Sequence, residues 1–235
     1  TTTTVNLGAS LTIEKQKVLL IDFDQQANAT ISLGINREDI NYDIVDILLN
    51  SAEVEDVILK TNVESLDIIP ASIRLSQLED LLYNTDYKEW ILYKKIESLK
   101  NKYDYILIDC PPSLGLIIDN ALFASDSVII PVECGFYAYD ALTQMVNKID
   151  EVQKIKKINI EGILLTKLDN RNTFGYKIVD KVRFMFPNKT FKTIISASSH
   201  IQEAPMYGKT VIQFSYNSRG SKEYRELAKE ILGKE

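Results

Sequence analysis

Two apolar runs in this sequence end in acid. Val18-Leu19-Leu20-Ile21 leads into Asp22-Phe23-Asp24, and Ile106-Leu107-Ile108 leads into Asp109. Short β-branched runs of this kind read as strands covered on both faces. In an open parallel sheet, ligands bind in the crevice beyond the carboxyl ends of the strands. A carboxylate there can hold a divalent cation or orient a water. Carboxylates gathered in one place repel one another unless a cation or a proton compensates. An isolated strand-end Asp is more simply a helix cap or the start of a turn. Here two such ends occur, one followed by Gln25-Gln26 and the other by Pro111-Pro112, and the recurrence favours chemistry. The remaining reactive side chains are less informative. Cys110 and Cys134 form no C-x-x-C pair, and they read as buried, reduced thiols rather than as ligands. His200, the single histidine, reads as a surface residue rather than a ligand or base.

Elements must hold those acids in place. Val128-Ile129-Ile130 and Ile163-Leu164-Leu165 are further strand-like runs. Between the strands lie helical stripes. Tyr139, Leu142, Val146 and Ile149 form one, and Ile178, Val182 and Met185 form another that Pro187 stops. The last helix carries Tyr224, Leu227, Ala228, Ile231 and Leu232, with Ser221 placed to cap its start and Gly233 its end. Asn84 to Lys88 reads as a loop before a helix bearing Leu92, Ile96 and Leu99, and Lys94-Lys95 and Lys154 to Lys157 read as solvated faces. Alternating strands and helices predict an α/β fold: a doubly wound, mostly parallel sheet with helices on both faces.

Bulk properties bound the function. A chain of 235 residues that is 45% hydrophobic can bury one substantial α/β core. With 27 basic against 33 acidic residues and a net charge of −6, composition gives no sign of nucleic acid, so DNA binding would need a local patch. No stretch is long and apolar enough to span a bilayer and no signal-peptide pattern opens the chain, so a cytoplasmic protein is expected.

Longer motifs resemble one family. Val18 to Thr30 resembles the ParA/Soj pattern V-L-L-I-D-x-D-P-Q-G-N-A-T, and Tyr105 to Gly115 resembles its Walker B strand and second switch, I-I-D-x-P-P-S-L-G. Pro131-Val132-Glu133-Cys134 is similar to the family's P-V-Q-C. Glu203-Ala204-Pro205 with Gly208-Lys209 is similar to E-A-P-x-x-G-K. Thr1 to Leu7 resembles the T-T-T-x-V-N-L that follows the family's K-G-G-V-G-K phosphate loop. The likeness runs from Thr1 to about Ile231, with the motifs in the family's order and spacing.

The resemblance implies a single P-loop NTPase-like nucleotide-binding domain over 1–235, truncated at its N-terminus so that the first strand and the phosphate loop are missing. The reading frame is then expected to continue upstream through a short apolar strand and a Lys-Gly-Gly-x-Gly-Lys loop. It implies a helix over 2–15, although Val5, Leu7, Ala9, Leu11 and Ile13 alternate as a strand would. It implies ATP and Mg²⁺ as cofactors. Thr1 would bind Mg²⁺ at the start of that helix, whose dipole favours phosphate, and Thr2 would stand beside it at the nucleotide. Asp22 would support the first switch, Asp24 would position the attacking water, and Asp109 would hold Mg²⁺ through water. Pro111-Pro112-Ser113 would stiffen a second switch that senses the γ-phosphate. Partners implied are a second copy of the chain, DNA bound without sequence preference, and a ParB-like protein that stimulates slow hydrolysis. Nucleoid association follows from these; a membrane partner does not.

Departures qualify this. Gln25 stands for the family Pro, Ala27 for Gly and Glu133 for Gln. The basic segment I-P-R-N-V-R-L-S-E-A-P reads Ile195 to Pro205 here, without either arginine, so weak DNA binding centred on Arg219 is expected. Two other readings compete. One is a nucleotide-free interaction module. The other is a MinD-like membrane-cycling ATPase, which needs a basic amphipathic tail; Glu223, Glu226 and Glu230 among the lysines argue against it.

Overall fold

β1 (Val18–Asp22) is buried at all five positions, as an unbroken apolar run requires. The computed structural model describes residues 1–136, 138–169, 171 and 173–234. β1 lies between β3 (Leu66–Ile69) and β4 (Tyr105–Asp109) and runs parallel to both; β2 (Leu59–Lys60) adds a short antiparallel edge beside β3. β5 (Ser127–Glu133) and β6 (Asn159–Thr166) form a separate parallel pair. Bridges from Ile163 to Thr190 and from Leu168 to Ser196 extend that pair.

The mostly parallel sheet with helices on both faces is as expected. Val18 and Leu20 point to one face and pack with Leu7, Leu11, Tyr224 and Leu227. Leu19 and Ile21 point to the other and pack with Ile44, Leu92, Ile96 and Ala121. The period of two along β1 divides the core into two layers. β3 was hidden in the sequence because Asp67 interrupts it. That buried carboxylate is met by Lys60 Nζ at 2.7 Å and the Tyr103 hydroxyl at 2.8 Å.

The segment whose alternation mimics a strand is helix α1 (Thr2–Ile13). Every residue from Val5 to Leu11 is buried, including Asn6, Gly8 and Ser10. A helix enclosed on all sides shows no apolar stripe, so its period cannot be read from the sequence. Gly8 allows the close approach: a Cβ there would lie 3.3 Å from Leu66 Cδ1 and 3.6 Å from Leu107 Cδ1.

β4 and β5 face each other across a cleft of about 1300 Å³. All of Tyr105 to Asp109 lines one wall and all of Ser127 to Glu133 the other, with Leu7 and Leu11 of α1 and Ile118 and Leu122 completing it. Among the described residues, β4 has a ladder partner on its β1 side alone and β5 on its β6 side. Tyr105 to Ile108 are consequently half-buried, whereas the neighbouring β1 is fully buried.

The C-terminal helix spans Arg219–Ile231. Its cap is Ser218, whose side chain accepts from Ser221 N, and not Ser221, which is already inside the first turn. Gly233 follows its end at φ +66°, a left-handed position suited to glycine. Lys156 is not a solvated charge. It donates to Phe123 O at 2.8 Å and Ser125 O at 2.6 Å, closing the helix Leu116–Ala124. Finally, α2 (Asn28–Ser32) is followed by Gly34 at φ +79°, which meets Gly208 at φ +59° backbone to backbone. A Cβ on Gly208 would fall 2.6 Å from Gly34 Cα.

Candidate functional site

The parallel register sets Asp22 of β1 directly beside Asp109 of β4. Both sit at strand ends, Asp22 fully buried and Asp109 2% exposed. Asp22 spends its oxygens on the protein. Oδ2 accepts from Thr30 N at 2.8 Å and Thr30 Oγ1 at 2.7 Å, and Oδ1 accepts from Asp24 N at 3.3 Å. Burial pushes its carboxyl up to about 6; the charge on Asp109 adds to this and the Thr30 bonds oppose it. Asp22 therefore organises the loop that follows it.

That loop carries Asp24. Its Oδ1 accepts from Gln26 N at 3.0 Å and its carbonyl from Ala27 N at 2.8 Å, a local turn of the kind Asp favours. Ala27 adopts φ 53°, ψ 35°, the left-handed region where its family counterpart is glycine. An alanine there costs roughly 1–2 kcal/mol, so the turn is held against strain by its bonds. Arg37 adds one more, donating to Gln26 O at 2.5 Å. Arg37, Thr30 and Thr4 belong to this site, and the sequence alone gives none of them a role. Thr30 ends the Val18 to Thr30 motif, but only the fold shows that its hydroxyl reaches back eight residues.

Asp109 is met from α1. Thr4 Oγ1 donates to Oδ1 at 2.8 Å, and the Thr1 backbone nitrogen lies 2.7 Å from the same oxygen. Oδ2 is buried and without a hydrogen-bond partner among the described residues. The cap residue Thr1 makes no side-chain cap bond and the first turn of α1 holds no acid, so its leading N–H groups are open to an anion. No three His, Cys, Asp or Glu side chains among the described residues cluster as a metal cage. One carboxylate oxygen and a threonine hydroxyl instead fit Mg²⁺, which is commonly held by one or two protein oxygens together with phosphates.

Of the predicted site residues, Thr1, Asp24, Asp109 and Pro111 all line the one cleft. Asp22 stands behind it in the support layer. Thr2 is exposed and is not on the cleft wall; its carbonyl accepts from Asn6. Arg219 lies apart, on the C-terminal helix, with Nε 2.7 Å from Glu223 Oε1 and its side chain 59% exposed. Glu223 is itself fixed by Ser196 N and Oγ at 2.8 and 2.7 Å. Arg225 stacks 4.1 Å over Tyr216, while Lys209 and Lys222 are exposed. His200 is exposed, as expected. Cys110 and Cys134 are free thiols that are half-buried rather than fully buried. Burial, with acidic neighbours adding to it, pushes them up to about 12 and about 11.

Comparisons with known proteins bear on this geometry. A family model described as an AAA domain matches residues 1–162. The chain is 47% identical over 233 residues to the sporulation initiation inhibitor protein Soj of Bacillus subtilis (strain 168), covering 98% of this chain and 92% of that protein. It is 38% identical over 234 residues to the chromosome partitioning protein ParA of Myxococcus xanthus (strain DK1622), covering 99% and 83%. Among solved structures it is similar to cobyrinic acid a,c-diamide synthase from Mycobacterium smegmatis with bound ADP and magnesium. That match has a TM-score of 0.85 at 29% identity, covering 98% of this chain and 88% of that one.

Proposed function

The chain belongs to the Soj/ParA family of chromosome-partitioning ATPases, and from that premise we propose that it binds Mg²⁺ and ATP at the cleft between β4 and α1 and hydrolyses ATP slowly. The observation that carries this reading is the buried Oδ2 of Asp109, without a partner among the described residues, set against the uncapped start of α1. The Mg²⁺–phosphate group supplies a centre whose developing charge must be neutralised and whose geometry must be fixed. The chain's residues do the fixing. Thr1 and Asp109 hold the cation side. The first N–H groups of α1 face the phosphates. Asp24, aimed by the strained turn at Ala27, orients a water, and Asp22 holds that turn through Thr30. Pro111 and Pro112 stiffen the segment leaving β4.

In this reading, ATP-bound chains pair face to face, bind DNA weakly through Arg219 without sequence preference, and release it when a ParB-like partner stimulates hydrolysis. The protein works in the cytoplasm at the nucleoid, and no helix among the described residues is long and apolar enough to cross a membrane. The facing edges of β4 and β5 support a further part of the proposal. An apolar strand joined ahead of Thr1 would run between them and deliver a phosphate-cradling loop to the start of α1. Backbone groups on such edges cost about 1–3 kcal/mol each when buried and unmet.

Two measurements test the reading. In the full-length protein, Mg²⁺–ATP should shift sedimentation from monomer to dimer, and an unchanged monomer with saturating nucleotide would sink it. Residues 1–235 alone should bind ATP too weakly for calorimetry to detect at micromolar concentration. Micromolar affinity there would remove the need for the upstream loop.

A further inference from the structure

Hydroxyls on helices usually bond the carbonyl three or four residues back. In this chain Thr12 Oγ1 bonds Ala9 O at 2.9 Å, Ser10 Oγ bonds Asn6 O at 2.7 Å and Ser32 Oγ bonds Asn28 O at 2.6 Å. Thr4 bonds across the fold instead. Its hydroxyl crosses 105 residues of sequence to donate to Asp109 Oδ1 at 2.8 Å. Thr4 is three residues after Thr1, so both stand on one face of α1, and both line the cleft with Asp109. It occupies the unspecified position of the T-T-T-x-V-N-L pattern, so the motif assigns it nothing.

A carboxylate can turn about its Cβ–Cγ bond and exchange its two oxygens. Oδ1 is held by the Thr4 hydroxyl and lies 2.7 Å from the Thr1 nitrogen, which opposes the exchange, and Oδ2, buried and unpartnered among the described residues, is the oxygen left to act. We propose that Thr4 is a positioning residue: it holds Asp109 so that Oδ2 alone meets the cation or its bound water. This rests on the ATPase reading above. Partners that orient a metal-holding side chain in this way typically account for 10–100-fold in metal affinity.

The experiment uses the full-length protein and reads metal binding rather than turnover. Mn²⁺ serves as the probe, followed by electron paramagnetic resonance in the presence of saturating ADP. Valine keeps the volume and β-branching of threonine, and Thr4 is only partly buried, so Thr4→Val retains the fold. It should weaken Mn²⁺ binding about tenfold or more, with metal-free ADP affinity unchanged. Thr4→Ala should lose as much, which excludes a methyl pushing on Asp109. Thr4→Ser, which keeps the donor, should stay within about threefold of wild type. Mn²⁺ binding by Thr4→Val within about twofold of wild type overturns the proposal. So does a Thr4→Ser variant as weak as Thr4→Val, because the methyl and not the hydroxyl would then matter. If wild type shows no ADP-dependent Mn²⁺ site, the ATPase reading fails and this proposal with it.

Discussion

Replacing Thr30 with valine removes one hydroxyl from the most constrained part of the site. Thr30 is fully buried. Its Oγ1 donates to Asp22 Oδ2 at 2.7 Å and accepts from Ala71 N at 3.3 Å. Above pH 7 Asp22 is ionised, so the first bond is charge-assisted and contributes about 1.5–3 kcal/mol. The second is long; losing it leaves a buried N–H unmet, at a cost of about 1–3 kcal/mol. The new methyl recovers about 1 kcal/mol by burial. The net expectation is a loss of about 3 kcal/mol. With a urea slope near 3 kcal/mol/M, the unfolding midpoint falls by about 1 M. Thr30→Ser keeps the hydroxyl and deletes a methyl, which costs about 1 kcal/mol. The assay is urea unfolding followed by far-ultraviolet circular dichroism at pH 7.5, with the slope required to stay constant. A loss below 1 kcal/mol in Thr30→Val, or a serine variant no better than valine, would refute the claim that this hydroxyl anchors Asp22 and its loop.

Asp24→Ala in the full-length protein should abolish ATP turnover while leaving nucleotide affinity within about threefold, because a water-positioning group acts mainly in the transition state; turnover at the wild-type rate means Asp24 has another role. Arg219→Ala should weaken binding of ATP-loaded protein to a random duplex and lower the salt slope by about 0.9, the share of one phosphate contact. Tight binding that survives the change places the DNA surface elsewhere, on Lys209 or Lys222 among the exposed cations. Both thiols have their pKa values pushed up, to about 12 and about 11. Iodoacetamide at pH 7.5 should therefore modify Cys110 and Cys134 much more slowly in the folded protein than in urea. Mass spectrometry showing Cys110 alkylated as fast in the folded protein as in urea would contradict the raised thiol pKa.

What the sequence displayed depended on how each element meets its neighbours. β1 and β4 were legible because strands covered by helices on both faces become continuous apolar runs that end abruptly in acid. β3 escaped because Asp67 breaks its run, and the groups that satisfy Asp67 come from Lys60 and from Tyr103, far along the chain. α1 was legible as a helix only through its resemblance to a family motif, since total enclosure erases the period that would identify it. The strand-end acids were visible as a set, but their division of labour was not. Nothing in the spacing of Asp22 and Asp109 shows that one has every oxygen used and the other has one to spare. Ser218 and Ser221 are both reasonable caps by type, and helix geometry chose the earlier one.

The contact between Gly34 and Gly208 bears on how this protein can change over generations. Both residues have positive φ, and their backbones touch with no side chain between them. A methyl on Gly208 would meet Gly34 Cα at 2.6 Å, and one on Gly34 would meet Gly208 O at 3.0 Å. Gly208 cannot acquire a side chain without a backbone shift, and Gly34 can do so only under strain. The two segments would have to separate beforehand, and the Gly208 segment is itself pinned by the Asn62 side chain, which donates to Gly208 O at 3.1 Å and accepts from Gln213 at 3.2 Å. A substitution at Gly208 therefore begins from a clash, and one at Gly34 from a tight contact on a left-handed backbone that disfavours any side chain. The joint between the loop after Asp24 and the segment leading to the C-terminal helix should drift more slowly than the exposed residues around it, whatever those residues come to bind.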